Sequence, residues 1–137
     1  MKQYDFRMRF DGVDVSPDSL RDDLLANKNL PAQNVCFRTL NKAHGAALAD
    51  VVIAATISGG AILVAAVINS AVNWYINKNS EKHAKKSDKS MVVRIDGHKK
   101  SHTIHYVEGQ EIDAHTLDSI SEECGEIVEI HIGRSQR

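Results

Sequence analysis

Proline and cysteine occur only twice each in 137 residues, aromatic residues make up 5%, and the formal net charge is -1. So little proline, with 42% hydrophobic and 26% charged residues, excludes low-complexity and disordered classes and leaves a chain that folds. The two cysteines, Cys36 and Cys124, lie far apart and match no metal or redox spacing, and they read instead as buried free thiols. The near-zero charge removes any global argument for nucleic acid. The first residues, MKQYDFRMRF, alternate charged with apolar positions, which argues against a secretory leader. At this length one domain, or two very small lobes, is expected.

Charge is unevenly placed. Residues 1–50 carry seven of each sign, Lys78 to His105 eight basic against three acidic, and Tyr106 to Arg137 two against eight. Between Asp50 and Lys78 no charged residue occurs at all, and 19 of those 27 positions are hydrophobic. The mean hydropathy of its first part is roughly +2.2, in the range of membrane-crossing segments. As one helix the stretch would run about 40 Å, enough for a hydrocarbon core of about 30 Å. Trp74 and Tyr75 would then stand at a membrane interface with Lys78 beyond them, and the five lysines from Lys78 to Lys89 would place the C-terminal half in the cytoplasm.

Small residues at Gly59, Gly60 and Ala61, and amides at Asn69, Asn73 and Asn77, suit a helix association seam in a membrane. In a protein-covered helix the same amides mark the wet side and Gly59-Gly60 a break. Both the membrane-crossing helix and the core helix of an oligomer are open at this point.

The flanks read as α+β. Tyr4, Phe6, Met8 and Phe10 alternate with Asp5, Arg7 and Arg9, the pattern of a strand with one face buried. Ser16-Pro17-Asp18 opens a helix with an apolar stripe of Leu20, Leu24 and Leu25, stopped between Asn27 and Pro31, and Asn34 to Leu40 forms a second strand. Met91 to Ile95 and Thr103 to Val107 flank a loop that begins Asp96-Gly97, as in a hairpin. Asp113 caps a helix stapled by Ile112 and Leu117 and ended by Gly125, and Ile127 to Ile132 make the last strand.

The predicted fold is therefore strand-helix-strand over 1–45, a long apolar helix over 46–77 that is membrane-associated or an oligomer core, a basic linker over 78–90, strand-strand-helix-strand over 91–133, and a tail over 134–137. The first portion is too small to bury a core alone. A single membrane crossing would keep the two portions in separate sheets.

The stretch Gly45 to Ala61, with the apolar run into Trp74-Tyr75 and the basic turn before the hairpin, resembles the effector-associated constant component family of bacterial conflict systems. The resemblance implies an α+β protein with a Gly-containing apolar central helix, acting as a shared accessory to variable effectors. It brings no catalytic residue. The asparagine stripe and the lysine linker depart from that pattern.

Chemistry is sparse elsewhere. His105, His131 and Glu129 would make a zinc set if adjacent strands brought them together, but exposed sheet histidines are the commoner outcome, and no metal or cofactor is expected. Ser58-Gly59-Gly60 lacks a phosphate-loop pattern, no motif positions His44 or Asp50 to activate Ser58, and Asp22-Asp23 and Glu122-Glu123 read as solvated helix faces. Arg94, Lys99 and Lys100 offer only a weak basic patch with little aromatic interleaving beyond Tyr106, so nucleic acid is not an expected partner.

These observations lead to the expectation of a non-enzymatic accessory or adaptor of a defence system, a homo-oligomer at the cell inner membrane that docks a protein effector or sensor. The alternatives are a small membrane-disrupting, pore-forming effector and a cytoplasmic oligomeric α+β interaction module.

Overall fold

A computed structural model describes residues 2–10, 16–26, 30–31, 33–39, 51–82, 91–106 and 111–134. Along the chain these form β1 (Lys2–Phe10), α1 (Pro17–Leu25), β2 (Val35–Thr39), β3 (Val51–Gly59), α2 (Ala61–Lys82), β4 (Met91–Gly97), β5 (Ser101–Tyr106), α3 (Ala114–Cys124) and β6 (Ile127–Arg134). The strands make one mixed six-stranded sheet in the order β2-β3-β1-β6-β4-β5. The protein is α+β, and both predicted portions share this sheet.

The apolar stretch divides where a single helix was predicted. Its first nine residues are β3, with Val51, Ile53, Ala55 and Ile57 buried and their alternating neighbours partly exposed. Five of those nine residues are β-branched, which costs rotamer freedom in a helix and suits a pleated sheet. Gly59, at φ 151°, takes a backbone conformation that other residues rarely adopt, and α2 begins two residues later. The helical remainder reaches Lys82, into the predicted linker, whose residues 83–90 lie outside the described ones. No helix among the described residues is long and apolar enough to cross a membrane.

Pairing explains how the small N-terminal portion finds a core. β3 inserts between β1 and β2, antiparallel to both, and β4 lies between β5 and β6 in the same way. Each of α1 and α3 therefore links two parallel strands across a strand of opposite sense. β1 and β6 join the halves in parallel at the centre, and α2 carries the chain from β3 over them to β4.

Strand alternation and register place one apolar face under the helices. Ile53, Met8, Ile130 and Ile95 are partners across four strands, and the next row is Val51, Phe10, Ile132 and Val93. All eight are buried, as are Val64, Val67, Ile68, Ala71 and Val72 of α2. Burying each of the larger side chains contributes about 1.5–3 kcal/mol.

α1 and α3 begin as their sequences predict. The Ser16 side chain accepts from the Ser19 N–H at 3.1 Å, with Pro17 following, and Asp113 accepts from the Thr116 N–H at 2.8 Å. That N–H holds the Asp113 carboxyl below its usual range. Leu25, expected in the α1 stripe, is 39% exposed, because α1 packs through Leu20 and Leu24. Cys36, expected to be buried, is exposed: β2 turns Val35 and Phe37 inward and Cys36 outward, whereas Cys124 is buried on α3.

Tyr106, only 2% exposed, ends β5 at the core, and its hydroxyl has no hydrogen-bond partner among the described residues. Burial, reinforced by the charge of Glu111, pushes its pKa up to about 12. The unfolded chain gives up this proton near pH 10 while the folded chain retains it. Stability is therefore complete below about pH 10 and declines as the pH climbs toward 12. Tyr106→Phe removes an unsatisfied buried hydroxyl and should raise stability by about 1 kcal/mol. Urea titrations of both proteins at about pH 8 and about pH 11 test this; an equal alkaline loss in the variant would contradict it.

Candidate interaction surface

The residues predicted to associate helices are not brought together. Gly59 ends β3, Gly60 stands between strand and helix, and only Ala61 is helical. A Cβ at Gly60 would meet nothing within 4 Å, while one at Gly59 would lie 2.6 Å from Leu63 Cδ1. Asn69 is consumed inside the chain: its amide donates to the Ile112 carbonyl and accepts from the Ile112 N–H, both at 2.9 Å, tying α2 to the segment that enters α3. Asn73 and Asn77 are exposed on α2.

The predicted membrane-interface aromatics lie in the core. Trp74 stacks edge-on against Phe10 with ring centroids 5.6 Å apart, and its indole N–H donates to Asp23 of α1 at 2.8 Å. Tyr75 is 2% exposed, its ring 6.5 Å from that of Phe10. Lys78 belongs to α2, but its side chain lies outside the described residues. The zinc set is not assembled either. β4 separates β5 from β6, so Arg94 stands opposite His131, and His105 pairs with Val92.

What the fold does assemble is the other face of the sheet. The helices pack on the apolar face, and the second face carries every outward side chain of six strands. Register sets these side chains in rows. One row runs Arg38, Ala54, Arg7, Glu129, Asp96 and Ser101 from β2 to β5, and the next runs Val52, Arg9, His131, Arg94 and Thr103 from β3 to β5. With strands about 4.8 Å apart, Arg38 and Arg7 stand about 10 Å apart, as do Arg9 and Arg94. Arg7 and Arg9 are separated by about 7 Å along β1.

Two carboxylates on this face, Glu129 and Asp96, lie lower than the arginines beside them. Glu129 accepts from Arg7 Nη2 at 3.4 Å and from Arg9 Nε at 3.1 Å, and its side chain is 15% exposed against 52% and 39% for the two arginines. Asp96, 25% exposed, accepts from Arg94 Nε at 3.1 Å and from the Ser101 hydroxyl at 2.6 Å, while Arg94 is 49% exposed. Asp5 is bound by the Thr56 hydroxyl at 2.9 Å. The acids thus orient the guanidinium groups of Arg7, Arg9 and Arg94, and Arg94 also donates through Nη2 to Asp96 at 3.4 Å. Exposed pairs of this kind are worth only about 0–1 kcal/mol to folding, so stability does not account for the array.

Between Arg38 on one side and Arg7 and Arg9 on the other, β3 contributes only small outward residues, Val52, Ala54, Thr56 and Ser58. They form the floor of a shallow trough flanked by arginines. Sequence reasoning missed this surface, although the signal was there: Arg7, Arg9, Arg38 and Arg94 all occupy the polar phase of their strands.

No protein-family model, curated protein or solved structure matches the chain.

Proposed function

We propose that this chain is a non-enzymatic accessory or adaptor protein that docks a protein partner on the open, arginine-bearing face of its sheet. The observation that carries this reading is the arrangement of Arg7, Arg9, Arg38 and Arg94, with Glu129 and Asp96 seated more deeply among them, on a face that no helix among the described residues covers. Guanidinium groups oriented in this way bind carboxylates with defined geometry. The flat floor along β3 admits a helix or strand of the partner. The resemblance of Gly45 to Ala61 to the conflict-system family suggests the setting, a bacterial defence system.

The membrane-disrupting alternative is not favoured, since it asks Ile53, Ile57, Val67 and Ile68 to leave the core that they fill. A role at the inner membrane would be peripheral, made through surfaces and not through a spanning α2.

A photo-crosslinking residue at position 54 tests the reading in the source cell, with position 19 on α1 as the control. The expected result is a discrete protein adduct from position 54 that disappears when Arg7→Gln and Arg38→Glu are added. Absence of an adduct, or equal adducts from both positions, would contradict it.

A further inference from the structure

The two sides of the molecule differ in charge. The open sheet face presents Arg7, Arg9, Arg38 and Arg94 beside Asp5, Asp96 and Glu129, a slight excess of cations, and the helix layer behind it presents Asp18, Asp22 and Asp23 on α1 and Asp118, Glu122 and Glu123 on α3. On α1 the acids are partly spent, because Arg21 pairs with Asp18 at 3.5 Å and with Asp22 at 3.3 Å, and Asp23 holds Trp74. On α3, Glu123 pairs with Lys100 at 3.4 Å, whereas Asp118 and Glu122 make no ion pair among the described residues. α3 itself contains no lysine or arginine. Arg38 on the sheet face likewise makes no ion pair among the described residues.

We propose that the open sheet face of one copy docks the acidic outer ridge of α3, Asp118 and Glu122, of a second copy. This rests on the reading of that face as a docking surface and names its occupant. Asp118 and Glu122 are four residues apart, about 6 Å along the helix, which matches the spacing of about 7 Å between Arg7 and Arg9 along β1. A helix laid along β3 would meet small side chains beneath it and Arg38 on its far side. Opposite-charge complementarity of this kind sets register and partner choice. The two surfaces lie on opposite sides of the molecule, so the contact is head-to-tail: each copy offers one of each, and assembly continues beyond a dimer unless the ring closes.

The test is sedimentation velocity of the full chain at about 25 mM and about 500 mM salt, where screening lengths differ several-fold. At low salt the wild-type protein should grow past the dimer with concentration, and at high salt it should return to monomer. Arg7→Gln with Arg38→Glu, or Asp118→Lys with Glu122→Lys, should each weaken association at least about ten-fold while circular dichroism stays unchanged. An equimolar mixture of the two silent variants should form a capped dimer, since each retains the surface that the other lost. A wild-type monomer at both salts, variants that still assemble, or a silent mixture would overturn the proposal. If the chain is monomeric while position 54 still crosslinks to a different protein, only the identity of the occupant fails. If position 54 crosslinks to nothing, the docking reading fails as well.

Discussion

Phe10→Ala is expected to cost about 3–5 kcal/mol, the range for deleting a fully buried aromatic ring. Phe10 is completely buried at the end of β1, between Val51 of β3 and Ile132 of β6, and it touches both Trp74 and Tyr75. Its removal therefore opens a void where α2 meets the central strands, and it also removes the edge-on contact with Trp74, worth about 0.5–1.5 kcal/mol beyond burial. Domains of this size have only about 5–15 kcal/mol in total, so the variant should be marginally folded. Trp74 is the only tryptophan and reports the transition directly. A urea midpoint lowered by less than about 1 kcal/mol equivalent would mean that α2 does not pack on β1 as described.

Gly97→Ala is the second large effect, expected at about 3 kcal/mol, the upper part of the range for overpacking. A Cβ at Gly97 would overlap the Cys124 carbonyl and lie 2.9 Å from the Cys124 Cβ. The carbonyl cannot withdraw cheaply, because the Lys99 N–H donates to it at 2.7 Å and the Lys100 N–H at 3.3 Å, so that the β4–β5 loop caps the end of α3. The same substitution at Gly60, where a Cβ meets nothing within 4 Å, should be neutral or stabilise by about 0.5 kcal/mol through the unfolded chain. Urea unfolding of the pair decides it: similar effects at the two positions would contradict the close approach of loop and helix.

Local signals in the sequence specified much of this structure. The alternation from Tyr4 to Phe10, the Ser16 and Asp113 caps and the stop at Gly125 each follow from backbone and side-chain chemistry within a few residues, and each is present. The stretch from Val51 was misread because β3 is flanked on both sides and carries Val52, Ala54 and Thr56 outward, so hydropathy along it hardly alternates. Its β-branched content and the glycine pair at its end were the better guide. Asn69 could not be distinguished from Asn73 and Asn77 by spacing, since its role depends on where Ile112 falls.

The arginine face was legible residue by residue and not as a surface. Strand phase turns Arg7, Arg9, Arg38 and Arg94 outward, but only the insertion of β3 and the parallel pairing of β1 with β6 make them neighbours. The β1–β6 pairing joins segments more than a hundred residues apart, which no local pattern encodes.

The division of the apolar stretch into a sheet strand and a core helix underlies the proposed docking surface, because without β3 there is no trough and β2 has no strand to pair with. A cysteine scan of positions 51–58 in the purified Cys36→Ser protein tests it most directly. Labelling with a small thiol reagent should alternate, with 52, 54, 56 and 58 reactive and 51, 53, 55 and 57 protected. A period near 3.6, or uniform protection released only by detergent, would instead describe a continuous helix and contradict the account.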